Sequence, residues 1–426
     1  MSEKKAKTQK TEGKTAAPQA EAGEEDEPLS QFSLFEGDLV NRAFAALKIG
    51  GRSPLDLILR MIIVIGITWV PMAMMSWHVV LPPGTPAQLN FFSDYAAYAQ
   101  FLIGIPLFII AERVVGEATM GAYRDFGSSG VIADEYTEVF KSAEDEVKAL
   151  RKRVFPEIVC IAIAYILALS TILPELFWTS DMETWHVLKD AEGARIITQT
   201  GAWLMLVALP LQNYWWIRWV WKIFIWYWFL SKISRFKLVL VASHPDHTGG
   251  IGFLSEVQAK FALVILAYGI SNVVATIGYK IAIEHAPLDL PPVWGPLVGF
   301  AIIAPLLFLS PLLLFTKQLK RTKKRALAQF REKAMRNARK LEQEWLATPY
   351  DSQRDEVARS ELNQLNLLTT FHDRITAMRV VPFDLRSAGQ LIGSAIGPMI
   401  PLLPYFIEVP EPLQVMLEAL TKWLPH

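Results

Sequence analysis

The sequence predicts an all-α, polytopic membrane helix bundle of six or seven transmembrane helices with a cytoplasmic helical cap. Three observations lead there. Of 426 residues, 52% are hydrophobic and only 20% charged, against about 25% charged in ordinary soluble domains. The apolar residues gather in long blocks, and a helix crossing a bilayer core needs about 20 such residues. The polar segments between the blocks alternate between Lys/Arg-free and Lys/Arg-rich, the mark of alternating sides of a membrane.

Lys and Arg together match Asp and Glu, 42 against 42. Nothing global therefore points to a nucleic-acid partner. The one cysteine, Cys160, lies in an apolar block. An intrachain disulfide and a thiolate metal cluster are both excluded.

Residues 1–30 are Lys, Glu, Ala, Thr and Pro with almost no large apolar side chain. They cannot bury enough surface to order themselves and read as a disordered cytoplasmic tail. Residues 31–56 contain an amphipathic helix. Phe32, Phe35, Leu39, Ala43 and Leu47 share one face, with Val40 and Phe44 toward its edge. Such a helix packs against the protein's own cytoplasmic side or lies on the membrane surface. Gly50-Gly51 ends it. Ser53 is then an N-cap, with Pro54 at the first helical position and Asp56 in the first turn.

The membrane region is 57–315. Span one covers 57–80 and span two 96–115, ending on Glu112 and Arg113. Residues 117–153 are a polar helical insert. Span three covers 155–178. Span four starts near Gly201 and runs apolar to Leu230, longer than a crossing needs, so it tilts, kinks at Pro210 or continues beyond the bilayer. Spans five and six cover 261–283 and 296–315. Residues 316–379 are a basic and then a polar helix, read as a cytoplasmic hairpin. Residues 380–426 hold a Pro-interrupted apolar stretch, 391–407, either a bent seventh span or a re-entrant segment. The loops 81–97 and 284–296 lack Lys and Arg, whereas the segments starting at Arg113, Lys232 and Lys317 are rich in them. The N-terminus is therefore placed inside.

Polar residues in a membrane span are costly and mark function or assembly. Arg218 and Lys222 sit one turn apart on span four, with Asn213 a turn earlier. Three readings fit them: an ion pair with Glu112 at similar depth, snorkelling to headgroups, or a pathway for a small charged solute. With Glu112 as the only acid in view, one positive charge is left over. The tryptophans at 215, 216, 219, 221, 226 and 228 suit helix packing or an interfacial belt better than a cofactor box, and no cofactor is implied. The loop SHPDHTGGIGFL carries His244, Asp246, His247, Gly249 and Gly250. It could serve a metal, a phosphate cradle in a membrane enzyme, or a tight turn with Thr248 or Ser255 capping the next helix. It offers two histidines without a third spaced ligand, so no metal is assigned.

The runs WIRWVWKIFIWYWFL and SRFKLVLVASHPDHTGGIGFL, with FFSDYAAYAQFLIGIPLFIIAERVV and VVPFDLRS, resemble a family of bacterial polytopic inner-membrane proteins with no assigned activity. The family's loop reads HPD, a basic residue, a small residue and GGLGFL. His247 stands in the basic position, which argues against metal ligation by a histidine pair. The resemblance implies a bacterial inner membrane and implies no activity. The readings left open are a channel or transporter for a small charged solute, a scaffold or sensor binding a protein partner through its cytoplasmic helices, and an enzyme using the His244 loop. The lipid bilayer is the expected partner, with a homo-oligomer or a membrane-protein partner compatible with the chain.

Overall fold

The computed structural model describes residues 37–51, 53–77, 90–177, 184–190, 192–282, 291–347 and 355–403. The expected tail at 1–30, the face residues Phe32 and Phe35, and the end of the apolar stretch at 404–407 lie outside them. The fold is mostly helical. Among the described residues five helices are long and apolar enough to cross a membrane.

A short helix α1, Leu39–Ala46, comes first. Its orientation differs from the periodicity reading. Phe44, expected at the edge, is the buried residue, and Leu47, expected at the centre of the face, is exposed. The helix is rotated because Asp38, its N-cap, is drawn inward as well. Helix α2, Pro54–Ser76, begins as its signals predict: the Ser53 side chain accepts the Leu55 N–H, with Pro54 at the start. Helix α3, Tyr95–Ser128, holds the apolar block of span two and runs far past it. Its polar end and α4, Thr137–Lys152, account for the insert at 117–153. Helix α5, Val154–Phe177, follows. An antiparallel hairpin, β1 Val187–Lys189 with β2 Arg195–Ile197, leads into α6, residues 199–233.

Helix α6 packs along α5. It is not one of the five apolar candidates, as Gln212, Asn213 and its many Trp and Tyr residues, together with Arg218 and Lys222, lower its hydropathy. Helix α7 is Phe253–Ile281, and α8 is Pro291–Leu309, followed by a tight turn to Phe315. Helices α9, Thr316–Ala347, and α10, Asp355–Ala377, pack on one another. Helix α11, Leu385–Ile396, lies against α7 and α8 and is only 12 residues long.

Three helices carry π-helical turns: Tyr98–Gly104 in α3, Leu204–Ala208 in α6 and Gly269–Val274 in α7. Two of them end two residues before a proline, Pro106 and Pro210. Proline donates no N–H, and the wide turn accommodates the break in the hydrogen-bond ladder. Span four is thus irregular where Pro210 predicts it. Gly104 brings α3 against α7. A Cβ there would lie 2.4 Å from the Ser271 Cβ.

The large aromatic core sits at the end carrying the basic segments. Tyr123 stacks on Phe140 at 5.0 Å, and Phe126 meets Phe253 edge-on at 4.9 Å. Trp215 and Trp226 are fully buried in the same core, so they serve helix packing rather than a lipid belt.

Candidate functional site

The residues of α6 set the site. Arg218 and Lys222, four apart, project from one face. Neither snorkels: they are 3% and 2% exposed. Both meet Asp38, which the sequence reading did not single out. The Asp38 Oδ2 accepts from Arg218 Nε at 2.8 Å and Nη2 at 2.6 Å, and pairs with Lys222 Nζ at 3.0 Å. Its Oδ1 accepts the Asn41 N–H at 2.9 Å, capping α1. Arg218 also donates Nη1 to Glu112 Oε2 at 2.7 Å and Nη2 to Oε1 at 3.1 Å. The guanidinium thus forks onto two carboxylates, a geometry only arginine provides.

Neighbouring groups extend the network. Asn41 Nδ2 donates to Glu112 Oε1 at 2.7 Å, and Arg60 Nη1 donates to Asn41 Oδ1 at 3.1 Å. Glu157, in the first turn of α5, accepts the Leu39 N–H at about 3.1 Å. The expected surplus of positive charge is therefore absent: Asp38 and Glu112 answer Arg218 and Lys222 directly. The acid was missed because it lies 180 residues away, in a segment read only for its apolar face. Burial raises the pKa of Asp38, but the charges of Arg218 and Lys222 outweigh that and hold its carboxyl below the usual carboxylate range.

The depth of this centre follows from helix starts. Arg60 and Glu157 lie in the opening turns of α2 and α5. Glu112 and Arg218 come about 25–30 Å along α3 and α6, at 1.5 Å per residue. The centre lies where α2 and α5 begin, at the basic end. A pocket of about 350 Å³ adjoins it, lined by Asn41, Arg42, Arg60, Glu112, Arg113 and Glu117. It reaches Arg218's partner Glu112, though Arg218 is not in its wall. Asn213 takes no part. Its side chain donates to the Ala164 carbonyl and accepts from Trp216 Nε1, holding α6 to α5. Asn272 likewise bonds its neighbour Ser271 rather than another helix.

The SHPDHTGGIGFL loop is built around Asp246. Its carboxylate accepts the N–H groups of Thr248, Gly250 and Gly252 at 2.8, 2.9 and 2.8 Å, and its Oδ1 lies 2.8 Å from His244 Nδ1. The glycine N–H groups that would cradle a phosphate therefore face the chain's own carboxylate. Gly249 and Gly250 have φ of +73° and +99°, and His247 has +57°. Burial raises the Asp246 pKa, but those backbone hydrogen bonds outweigh it and bring it down to about 2. Arg379 clamps the loop from outside: its N–H bonds the His247 carbonyl at 2.6 Å and its Nη2 the Asp246 carbonyl at 3.1 Å. The expected capping roles of Thr248 and Ser255 are not realised. Gly252 is the cap, with no side-chain bond. Ser255 instead donates to Asp384 at 2.9 Å and meets Ser387 at 3.0 Å. VVPFDLRS is thus joined to the glycine loop. Among the described residues no group of three His, Cys, Asp or Glu is arranged to hold a metal.

Compared with known proteins, the chain matches no family model, no curated protein and no solved structure.

Proposed function

We propose that this chain is an integral membrane protein of a bacterial inner membrane, with its N-terminus cytoplasmic, that passes a small charged solute through the α2, α3 and α6 region. Helix α6 is the sixth span alongside the five apolar ones. The observation that carries the reading is the charged centre of Asp38, Glu112, Arg218 and Lys222 with a pocket of about 350 Å³ beside it, whose wall joins Arg60, Glu112 and Arg113 to apolar residues such as Leu57 and Ile109. Ionisable groups within a membrane bundle face its interior or a water-filled cavity and mark functional sites, solute paths among them. The orientation rests on the basic segments at 113–153, 232–237 and 317–340.

The test is flux through liposomes holding the purified protein, read for a panel of small anions and cations. Arg218→Lys keeps the charge and loses the fork. The expected result is selective flux in the parent protein and at least tenfold less in Arg218→Lys. Flux indistinguishable from empty liposomes in both would overturn the reading.

A second reading, a scaffold or sensor with a protein partner, is favoured by one observation. Met335 on α9 and Leu367 and Phe371 on α10 are exposed apolar residues on the basic-end hairpin. The enzyme reading loses its support at the loop, where Asp246 fills the N–H groups a ligand would need.

A further inference from the structure

We propose that Arg218 and Lys222 form a binding site for one small oxyanion, a carboxylate or phosphate, and that α1 holds it shut by inserting the Asp38 carboxylate as a tethered occupant. The proposal rests on the transport reading for its biological use, but not for its chemistry.

The geometry of Asp38 is that of a bound ligand. One oxygen, Oδ2, receives three donors, Nε and Nη2 of Arg218 and Nζ of Lys222, all from α6. Three charge-assisted donors converging on one oxygen are what an oxyanion site requires. The occupant arrives on an element separate from the bundle's long helices. Helix α1 has 8 residues, and Phe44 is its buried side chain. Ala43, Ala45, Ala46 and Leu47 face outward. The apolar hold on α1 comes from Phe44 and Val40, and the rest of its attachment is polar: Asp38 to Arg218 and Lys222, and the Leu39 N–H to Glu157. Lys48, with φ +61°, closes α1 as its left-handed cap, Arg60 Nε holds the Ile49 carbonyl at 3.0 Å, and Gly50-Gly51 beyond them is the link on which α1 turns in this proposal. The pocket lies beside this arrangement. Its wall includes Gly37, Asn41, Gly50 and Gly51 from the α1 segment and Glu112 and Arg60 from the bundle. Withdrawal of α1 widens this pocket up to Arg218. Glu112 remains as the fixed counter-ion, so Arg218 and Lys222 without Asp38 lose the carboxylate they share and accept one anion in its place. A tether this short gives Asp38 a high local concentration, so free anion competes only when α1 turns away.

The test uses the full chain in lipid-free detergent. Asp38→Gly removes the carboxylate and keeps a residue tolerated at an N-cap. Acetate, which matches the lost side chain, and inorganic phosphate are titrated against chloride at equal ionic strength. The expected result is that Asp38→Gly binds acetate and phosphate at least tenfold tighter than the parent chain, while chloride has no such effect. A folded Asp38→Gly that shows no preference over chloride would falsify the proposal. Binding only in vesicles containing phosphatidylglycerol would keep the site and make a lipid phosphate its ligand. If Asp38→Gly does not fold, the parent protein decides. Amide exchange at 39–46 must rise with phosphate above an equal-ionic-strength chloride control, and no difference overturns the proposal. Acetate binding by Asp38→Gly without flux would remove the transport reading and leave the site standing.

Discussion

Asp38 and Asp246 are both carboxylates saturated by donors, yet their partners come from opposite sources. Asp246 draws its backbone donors from within six residues, with Arg379 bracing the loop from outside. Asp38 draws its charged partners from 180 residues away, and both are long cationic side chains. The local carboxylate shapes a turn. The distant one neutralises charge that would otherwise be buried bare. Losing the first opens a loop, whereas losing a partner of the second leaves an ion in a low-dielectric interior, which costs far more.

The largest expected effect is at the distant centre. Arg218→Ala leaves Asp38 and Glu112 facing each other with Lys222 as the remaining base. Breaking a buried pair from one side costs about 3–5 kcal/mol, and thermal unfolding in detergent should show the loss. A shift no greater than that of an exposed substitution such as Arg336→Ala would break the contrast. Next comes Asp246→Ala, which strands three N–H groups that water can partly reach. The expected loss is about 1–3 kcal/mol, with protease cleavage appearing between 243 and 252. Gly250→Val follows, at about 1–2 kcal/mol, because φ of +99° is strained for a β-branched residue. The smallest is Ser255→Ala, about 1 kcal/mol, for its hydrogen bonds to Asp384 and Ser387.

Acid sharpens the comparison without mutation. The folded-state pKa of Asp246 is depressed from 3.8 to about 2. Its contribution to stability is therefore full above the ordinary value and is lost as pH falls from 3.8 through about 2. Asp246→Asn should flatten that part of the stability–pH curve. An unchanged curve would mean that the loop does not depend on the charge.

The same contrast explains what the sequence made legible. The helices, the Ser53 cap, the irregularity before Pro210 and the turn at Gly249-Gly250 rest on local periods and local chemistry, which a single chain displays. The pairing of Glu112 with Arg218 was open to a depth argument, since both lie in spans whose direction is readable from basic residues. Asp38 was not. The apolar face of its segment drew attention to Leu39 and Leu47 instead, and Asp38 carries no mark of its partner beyond being an acid before a short helix. Asn213 misled for the reverse reason. Its neighbours on the chain suggested the charged face, but its side chain bonds α5. Thr248 and Ser255 fit a capping pattern, and a tertiary partner, Asp384, took Ser255.

The order in which the chain is made gives the charged centre one more consequence. Asp38 and Glu112 are synthesised first, and Arg218 and Lys222 emerge 106 to 184 residues later, on a helix that is not among the five apolar enough to cross by composition alone. A base entering a bilayer without a partner is costly. In the proposed membrane reading, α6 enters against helices made before it, with Glu112 of α3 as its counter-charge. On that reading, the ion pair that closes the finished protein also assists the entry of the helix that carries its two bases.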